Sequence, residues 1–253
     1  MRLLVGQISY LNSQPFYPLL GKHRLIPTPP RELGLMAMKG EIDAGILATA
    51  DYLVCEHRYE PIAQLGVANR EEVHSIVLAS KRPFEALSGA TIGITEETST
   101  SVRLLRLLLE VRHRARPMRY VRGLRETADA FLIIGNEALG EKARPRPGFP
   151  HRYDLASEWW AWKGLPFVFA LWAIRRSLPI DVKRGFAELL ERSFDAGMSQ
   201  IDEIAARFAP ALGKAEDLSK YLRNFHYRLG EAEMQGLAEF RRLVLLHRML
   251  DPI

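Results

Sequence analysis

The sequence has a single cysteine among its 253 residues, Cys55, which excludes an internal disulfide and a cysteine-based metal cluster. No apolar run approaches the roughly 20 residues of a membrane-spanning helix. The apolar run at the N-terminus is interrupted by Gln7 and is too short for a signal peptide. The seven histidines do not pair at metal-ligand spacing, and Gly-x-Gly-x-x-Gly and P-loop motifs are absent. We therefore expect a cytoplasmic protein with no metal, no nucleotide cofactor and no membrane partner.

Positive charge is concentrated in one part of the sequence. The formal net charge is +5, and arginines cluster between Arg103 and Arg125. A nucleic-acid site usually interleaves such charges with stacking aromatic residues, whereas Tyr120 stands alone among these arginines. No helix-turn-helix, zinc-finger or RNA-binding motif is present. We expect a basic face exposed to water and no nucleic-acid partner; a small anionic ligand also fits this charge balance.

Apolar runs of strand length alternate with helical patterns over the first two thirds of the chain, which predicts an α/β fold. The predicted strands cover 3–8, 25–27, 43–48, 62–67, 75–79, 91–95, 118–121, 130–134 and 166–174. Helices are predicted after Ser13, over 31–39, 99–112 and 154–162, and throughout 179–250. Three prolines make 144–150 a loop.

This order of elements predicts two lobes with a central cleft between them, where ligand pockets are common. The first lobe is expected to combine 1–82 with 175–253, and the second to comprise 83–174. The chain would then cross between the lobes twice, an arrangement suited to closing around a small ligand. The helical C-terminal region would pack on a sheet formed earlier in the chain.

The segment from Ser9 to Pro15 connects the first predicted strand to the next helix. We expect Ser13 to cap that helix and Pro15 to lie in its first turn. Asn12 would then lie at the carboxyl end of the strand, where open α/β sheets bind ligands. Its amide can both donate and accept a hydrogen bond. Taken alone, the loop fits a plain connection better than a binding site.

A run of four hydroxyl residues follows a predicted strand and opens a helix: Thr98, Ser99, Thr100 and Ser101. The free amides at a helix N-terminus attract anions, and hydroxyl groups add further donors, so a carboxylate or a phosphate would fit here. The same residues could equally form an N-cap without any ligand.

Ser75 begins a predicted strand directly after His74. Adjacent strand residues point to opposite faces, so these two do not form a nucleophile–base pair. We interpret Ser75 either as a polar contact of a pocket or as a serine at the edge of a strand. Gly135 and Asn136 form another polar loop after an apolar strand. Asp154 is interpreted as a helix cap, with a catalytic base as the alternative.

Six segments, in this order and spacing, resemble one known family. They are 9–12 (Ser-Tyr-Leu-Asn) with Pro15, 40–43 (Gly-Glu-Ile-Asp), Ser75 with its strand, 98–102 (Thr-Ser-Thr-Ser-Val), 134–135 with 138–139, and 164–172 (Gly-Leu-Pro-Phe-Val-Phe-Ala-Leu-Trp). The family is that of the chorismate dehydratases, the first enzymes of the futalosine route to menaquinone. The resemblance covers residues 3 to 176 and, more weakly, 221–240.

The resemblance implies a fold similar to type 2 periplasmic binding proteins and the conversion of chorismate to 3-[(1-carboxyvinyl)oxy]benzoate with loss of water. The resemblance thus implies a carbon–oxygen lyase of the hydro-lyase class, and it implies no metal or organic cofactor. Asn12 and Ser75 match the family's ligand-contacting Asn and Ser and are the expected catalytic residues. The expected substrate-binding residues are Ser9, Tyr10, Leu11, Thr98, Ser99, Thr100, Ser101, Gly135 and Asn136.

Neither Asn12 nor Ser75 is an obvious base for the reaction that the resemblance implies. Our hypothesis makes a substrate carboxylate the proton acceptor, with the two side chains positioning it and the departing hydroxyl. Three features depart from the family's pattern: Asn136 replaces the common Asp, Lys163 replaces the common Thr, and 66–70 lacks the usual glycine-rich loop. These departures concern loop contacts more than the fold.

Two alternatives are left open by the sequence. One is a non-catalytic cytoplasmic binding or sensor module for an aromatic carboxylate; the other is the related menaquinone enzyme that cleaves a cyclic futalosine derivative. The lack of a DNA-binding segment counts against a regulator, and the lack of a signal peptide counts against transport. Segments 9–12 and 164–172 favour the dehydratase over the related enzyme.

Overall fold

The computed structural model of the protein describes residues 1–123, 127–143 and 146–251, without the side chains of 142 and 143. Two compact units are formed, unit 1 (Met1–Ala68 with Val168–Glu231) and unit 2 (Asn69–Phe167 with Ala232–Ile253). Among the described helices, none combines the length and the apolar character needed to cross a lipid bilayer.

The strands in chain order are β1 (Leu4–Gln7), β2 (Arg24–Pro27), β3 (Ala44–Ala48), β4 (Tyr59–Asn69), β5 (Ile76–Ser80), β6 (Thr91–Ile94), β7 (Arg119–Arg122), β8 (Ala130–Ile134), β9 (His151–Asp154), β10 (Phe167–Arg175) and β11 (His226–Arg228). The α-helices are α1 (Pro30–Lys39), α2 (Thr49–Cys55), α3 (Thr100–Arg106), α4 (Gly135–Ala143), α5 (Leu155–Lys163), α6 (Ile180–Ser199), α7 (Ile201–Leu212), α8 (Ala215–Arg223) and α9 (Glu231–Leu246). A 3₁₀ helix covers Leu11–Phe16, and a π-helical turn, Leu107–Arg112, continues α3.

Unit 1 is built on a six-stranded sheet in the order β11-β4-β10-β3-β1-β2. β1 runs parallel to β2 and β3, whereas β10 runs antiparallel to β3. β3 is buried at every position, as expected of a central strand covered on both faces. The ring of Phe16 lies 5.5–5.7 Å from the rings of Trp172, Phe194 and Tyr227. This aromatic cluster fixes the end of the 3₁₀ helix that carries Asn12.

Unit 2 is built on a five-stranded sheet in the order β7-β6-β8-β5-β9. β6 runs parallel to β7 and β8, and β5 runs antiparallel to β8 and β9. The carboxyl ends of β6, β8 and β9 therefore share one edge of the sheet with the amino end of β5. We call this edge the strand-end edge, and the predicted Ser75, Thr98–Ser101 and Gly135 all follow or precede strands there.

Every strand predicted from the apolar runs is present, and the helix over 31–39 ends at Gly40 in the left-handed conformation, as expected. Among the strands and α-helices of the described residues, four were not predicted: α2, α4, β9 and β11. The expectation of a polar loop at Gly135 and Asn136 is wrong, because both residues lie in the first turn of α4. The expectation that 179–250 is helical throughout is wrong, because β11 pairs antiparallel with β4. The proline-rich loop is confirmed over 146–150, and 144–145 lie outside the described residues.

The units divide the chain at other points than the predicted lobes, 1–82 with 175–253 and 83–174. β5 pairs with β8 and β9, so 76–80 belong to the sheet of unit 2. The ring of Phe240 lies 5.0 Å from that of Phe167, so α9 also belongs to unit 2. Both contacts join residues far apart in the sequence, which local patterns do not reveal. The central cleft stays a prediction.

The arginine-rich stretch from 103 onward is not uniformly solvated, so that expectation is wrong for several of its members. Arg103 is buried, and Arg106 and Arg112 form ion pairs of 2.9 and 2.7 Å with Glu110 and Glu158. The exposed members are Arg114, Arg116 and Arg119, while Arg125 lies outside the described residues.

Candidate functional site

In unit 1, a tight turn directly after β1 carries the first group of predicted site residues. The Ser13 Oγ lies 3.0 Å from the Ile8 carbonyl and 2.9 Å from the Tyr10 carbonyl, so its proton is shared between two backbone acceptors. The Gln14 side chain donates to the same two carbonyls at 3.3 and 3.1 Å. Ser13 therefore lies inside the 3₁₀ helix and braces the turn. The prediction that Ser13 caps the helix is wrong, since Tyr10 occupies that position. Pro15 is the fifth of the six helical residues, so its predicted place in the first turn is also wrong.

The four predicted residues of this turn differ in exposure. Ser9 is exposed, Tyr10 and Asn12 are half-buried, and Leu11 is fully buried. Leu11 therefore contributes to the core of unit 1, whereas Asn12 is only partly buried. Ser193 of α6 stabilises the end of the 3₁₀ helix, because its Oγ donates to the Phe16 carbonyl at 2.8 Å.

In unit 2, Ser75 precedes β5 at the strand-end edge. The residue is 1% exposed, and its Oγ has no hydrogen-bond partner among the described residues. The Gly135 amide donates to the Ser75 carbonyl at 2.8 Å, which extends the pairing of β5 with β8 by one residue. Gly135 has φ +63°, a left-handed conformation that glycine adopts without strain. The structure thus brings two predicted site residues into direct contact.

The hydroxyl run lies at the same edge, between β6 and α3. All four residues are buried, and Thr98 Oγ1 also lacks a hydrogen-bond partner among the described residues. Ser99 occupies the N-cap position of α3 without capping it through its side chain. The Arg103 guanidinium instead donates to the Ser99 carbonyl at 3.0 Å and to its Oγ at 3.2 Å. The hydroxyl run is therefore a buried polar segment and not an ordinary cap.

Asp154 ends β9 at the strand-end edge and binds four backbone amides. Its Oδ1 accepts from Ala156 at 3.0 Å and from Ser157 at 3.3 Å, which confirms the predicted cap of α5. Its Oδ2 accepts from Val73 at 2.9 Å and from His74 at 2.7 Å. Burial raises the pKa of Asp154 to about 6, outweighing the amide hydrogen bonds that favour the charged form.

One group of side chains at this edge has the composition of a metal site. Glu72, His74 and Asp154 each place a ligand atom within 4.8 Å of the others. Both oxygens of Asp154 are already used by two amides each, which leaves it little capacity for an ion. His74 Nδ1 lies 3.3 Å from Glu72 Oε1, an ion pair when the imidazole is protonated. This arrangement fits a local hydrogen-bonding cluster better than a metal centre.

The predicted site residues form two groups in the structure. Ser75, Thr98–Ser101, Gly135 and Asn136 lie at one edge of the unit 2 sheet, and Asn136 is in the first turn of α4. Ser9–Asn12 belong to unit 1. The second role of Asp154, as acceptor for the residues preceding Ser75, was not predicted. The only sequence signal was the polar residue at a helix start, which the cap alone explains.

Comparison with known proteins identifies the family. A curated relative, the chorismate dehydratase of Thermus thermophilus, is 30% identical over 94% of this chain and 93% of its own. Among solved structures, protein AF1704 of Archaeoglobus fulgidus superposes with a TM-score of 0.81 at 16% identity, covering 98% of both chains. The periplasmic aliphatic sulphonate binding protein SsuA of Escherichia coli gives 0.65 at 14% identity, over 98% of this chain and 88% of its own.

The structural similarity confirms the predicted fold, that of the periplasmic binding proteins. The family profile described as menaquinone biosynthesis matches residues 3–245, which is nearly the whole chain. The chain therefore belongs to the menaquinone biosynthesis family.

Proposed function

We propose that this protein is a chorismate dehydratase, a hydro-lyase that converts chorismate to 3-[(1-carboxyvinyl)oxy]benzoate and water in the futalosine route to menaquinone. The observation that carries the proposal is the 30% identity to a curated chorismate dehydratase over 94% of the chain. The match to the menaquinone biosynthesis profile supports it independently. A cytoplasmic location and the absence of a cofactor stay predictions that accompany this function.

The strand-end edge of unit 2 suits part of such a substrate. Chorismate carries two carboxylates, and a carboxylate can accept hydrogen bonds from hydroxyl groups. The hydroxyls of Ser75 and Thr98 are buried and have no partner among the described residues, so neither has to give up a hydrogen bond there to bind a ligand. In the proposal, the Thr98–Ser101 run holds a substrate carboxylate, and Gly135 and Asn136 contribute contacts from the neighbouring strand end.

Asn12 and Ser75 are the proposed catalytic residues. The reaction breaks a ring C–H bond and the C–O bond of the ring hydroxyl; the hydrogen leaves as a proton, and the hydroxyl departs as water after taking up a proton. The electron pair of the C–H bond completes an aromatic ring, so the driving force lies in the substrate. Amide and hydroxyl side chains do not accept protons readily near neutral pH. A substrate carboxylate is therefore the proposed base, and the protein supplies orientation.

The test is to incubate purified protein with chorismate and to identify the product by mass spectrometry. Loss of one water, with formation of an aromatic product, is the expected result. Asn12→Ala and Ser75→Ala should each lower kcat/KM, by about tenfold or more, because each removes a positioning contact. Unchanged chorismate with folded protein would contradict the proposal. Binding of chorismate without turnover would identify the protein as the non-catalytic binding module instead.

A further inference from the structure

We propose that Asp154 is a positioning residue for Ser75, holding the backbone that carries this serine in the orientation that the substrate requires. The inference rests on the proposed function, since Ser75 is there a substrate contact. It concerns unit 2 alone, where Asp154, Val73, His74 and Ser75 all lie.

The backbone before Ser75 has a conformation that needs support. His74 has φ +58°, in the left-handed region, where a residue with a Cβ is strained by about 1–2 kcal/mol. Such a conformation persists only where surrounding contacts hold it. Asp154 Oδ2 accepts from the amides of both Val73 and His74, the two residues directly before Ser75. On the other side, the Gly135 amide holds the Ser75 carbonyl. The serine is thus fixed from both directions.

Capping of α5 does not by itself explain a buried aspartate at position 154. A cap needs one side-chain oxygen, which serine, threonine or asparagine would supply equally well. Asp154 Oδ1 makes the cap bonds to Ala156 and Ser157, so Oδ2 is not needed for the helix. Burial disfavours the ionised form, as the raised pKa shows. The second oxygen, Oδ2, accepts hydrogen bonds from the amides of Val73 and His74, and we infer that this is why an aspartate occupies the position.

A double-mutant cycle tests whether Asp154 acts through Ser75. Asp154→Asn keeps one oxygen for the cap but turns an NH₂ group toward the amides of Val73 and His74. We expect kcat/KM for chorismate to fall by about tenfold or more, since small displacements of a positioned group are costly. In the Ser75→Ala background, the same change should have almost no further effect, because residues that act as one unit are not additive.

A second variant and a second measurement are needed so that the conclusion about Asp154 does not depend on the Asp154→Asn substitution alone. Asp154→Ser also preserves a good N-cap but lacks the second oxygen. In both Asp154 variants, amide hydrogen exchange of a peptide covering 72–76 should be faster than in the wild type. This measurement needs no turnover, so it tests the positioning role even if wild-type protein fails to convert chorismate and the proposed function falls.

Asp129→Asn is the matched control. The Asp129 carboxylate accepts the Thr91 amide at 2.8 Å, near the opposite edge of the same sheet. Asparagine keeps that acceptor, so kcat/KM should stay within about twofold and exchange over 72–76 should not change. The inference is overturned if the Asp154 and Ser75 effects multiply, if both Asp154 variants retain wild-type kcat/KM, or if their exchange over 72–76 equals that of the wild type.

Discussion

At the residue scale, Ser75, directly before β5, and Ser80, its last residue, differ in their hydrogen bonding. Ser80 is fully buried, and its Oγ donates to the Arg82 carbonyl at 2.6 Å and accepts from the Arg82 amide at 3.2 Å. Ser75 is equally buried, but its Oγ has no such partner among the described residues. A buried hydroxyl that makes no internal hydrogen bond does not stabilise the fold.

Ser75→Ala should therefore lower kcat/KM for chorismate while leaving the free energy of unfolding unchanged or raising it by up to about 1 kcal/mol. Ser80→Ala should show the opposite pattern, a loss of about 1–2 kcal/mol in stability with kcat/KM close to wild type. Urea unfolding and steady-state kinetics on both variants check this. Equal loss of stability in the two would mean that Ser75 has a structural role.

Some of the candidate site residues could be recognised from the sequence, and others could not. Ser75 and the Thr98–Ser101 run were recognisable because they directly follow or precede apolar strands. The link from Asp154 to His74 was not, because 80 residues separate them and only the pairing of β5 with β9 brings them together. Ser13 was misassigned because a residue that shares its proton between two carbonyls has the same local pattern as a cap.

At the element scale, α6 determines the position of the turn that carries Asn12. A Cβ added at Gly197 would collide with the Pro15 carbonyl, which is backbone and has little freedom to shift. A Cβ added at Gly185, on the same helix, would meet no atom within 4 Å. Substitution of Gly197 therefore tests the contact between α6 and the turn, and substitution of Gly185 is the control on the same helix.

Gly197→Ala should lower the free energy of unfolding by about 1–3 kcal/mol through overpacking. Gly185→Ala should raise it by about 0.5–1 kcal/mol, because alanine loses less conformational freedom than glycine when the helix forms. Thermal or urea unfolding of both variants provides the measurement. If Gly197→Ala were as stable as Gly185→Ala, α6 would not press on the turn.

Lys163, one of the departures from the family's sequence pattern, makes a contact between two helices. Lys163 at the end of α5 forms a 2.9 Å ion pair with Glu239 of α9 and lies 3.9 Å from the Trp162 ring centroid. Arg242 also donates to Glu239, at 2.7 Å. These hydrogen bonds, that from Arg242 foremost, lower the pKa of Glu239 to about 2. Lys163 thus connects two helices of unit 2.

Glu239→Gln should reduce stability by roughly 1 kcal/mol near neutral pH. A lowered pKa means that the ionised carboxylate stabilises the fold fully above its unfolded value, 4.5, and loses this effect as the pH falls toward 2. The difference between wild type and variant should therefore shrink at about pH 3. Urea unfolding at both pH values measures it, and an equal difference at each would rule out the ion pair as its cause.

At the scale of the whole molecule, unit 2 is completed by the last helix of the chain. The ring of Phe240 lies 6.3 Å from Trp159 and 5.0 Å from Phe167, and Arg103 donates to the Leu250 carbonyl at 3.0 Å. Alternating apolar runs were sufficient to predict the α/β class and most strands. β9 and β11 were missed because they are short and polar, and the return of α9 to unit 2 depends on contacts that no local pattern shows.

Phe240→Ala should cost about 3–5 kcal/mol, since it removes a fully buried aromatic ring. Hydrogen exchange should accelerate mainly in 69–167 and in α9, because these residues share one core. Exchange that instead accelerated mainly in 1–68 and 168–231 would contradict the division into units. Leu245→Ala provides an exposed control on the same helix, with little expected change.

The buried hydroxyls of Ser75 and Thr98 have a consequence for how fast a ligand can bind. A ligand that reaches either group breaks no hydrogen bond within the described part of the protein, so these side chains are pre-organised for it. Both groups are shielded from solvent in this structure, so a ligand reaches them only after a local rearrangement of the surrounding residues. The association rate of a ligand that contacts these hydroxyls should therefore be limited by that rearrangement and lie below the value typical of an open site.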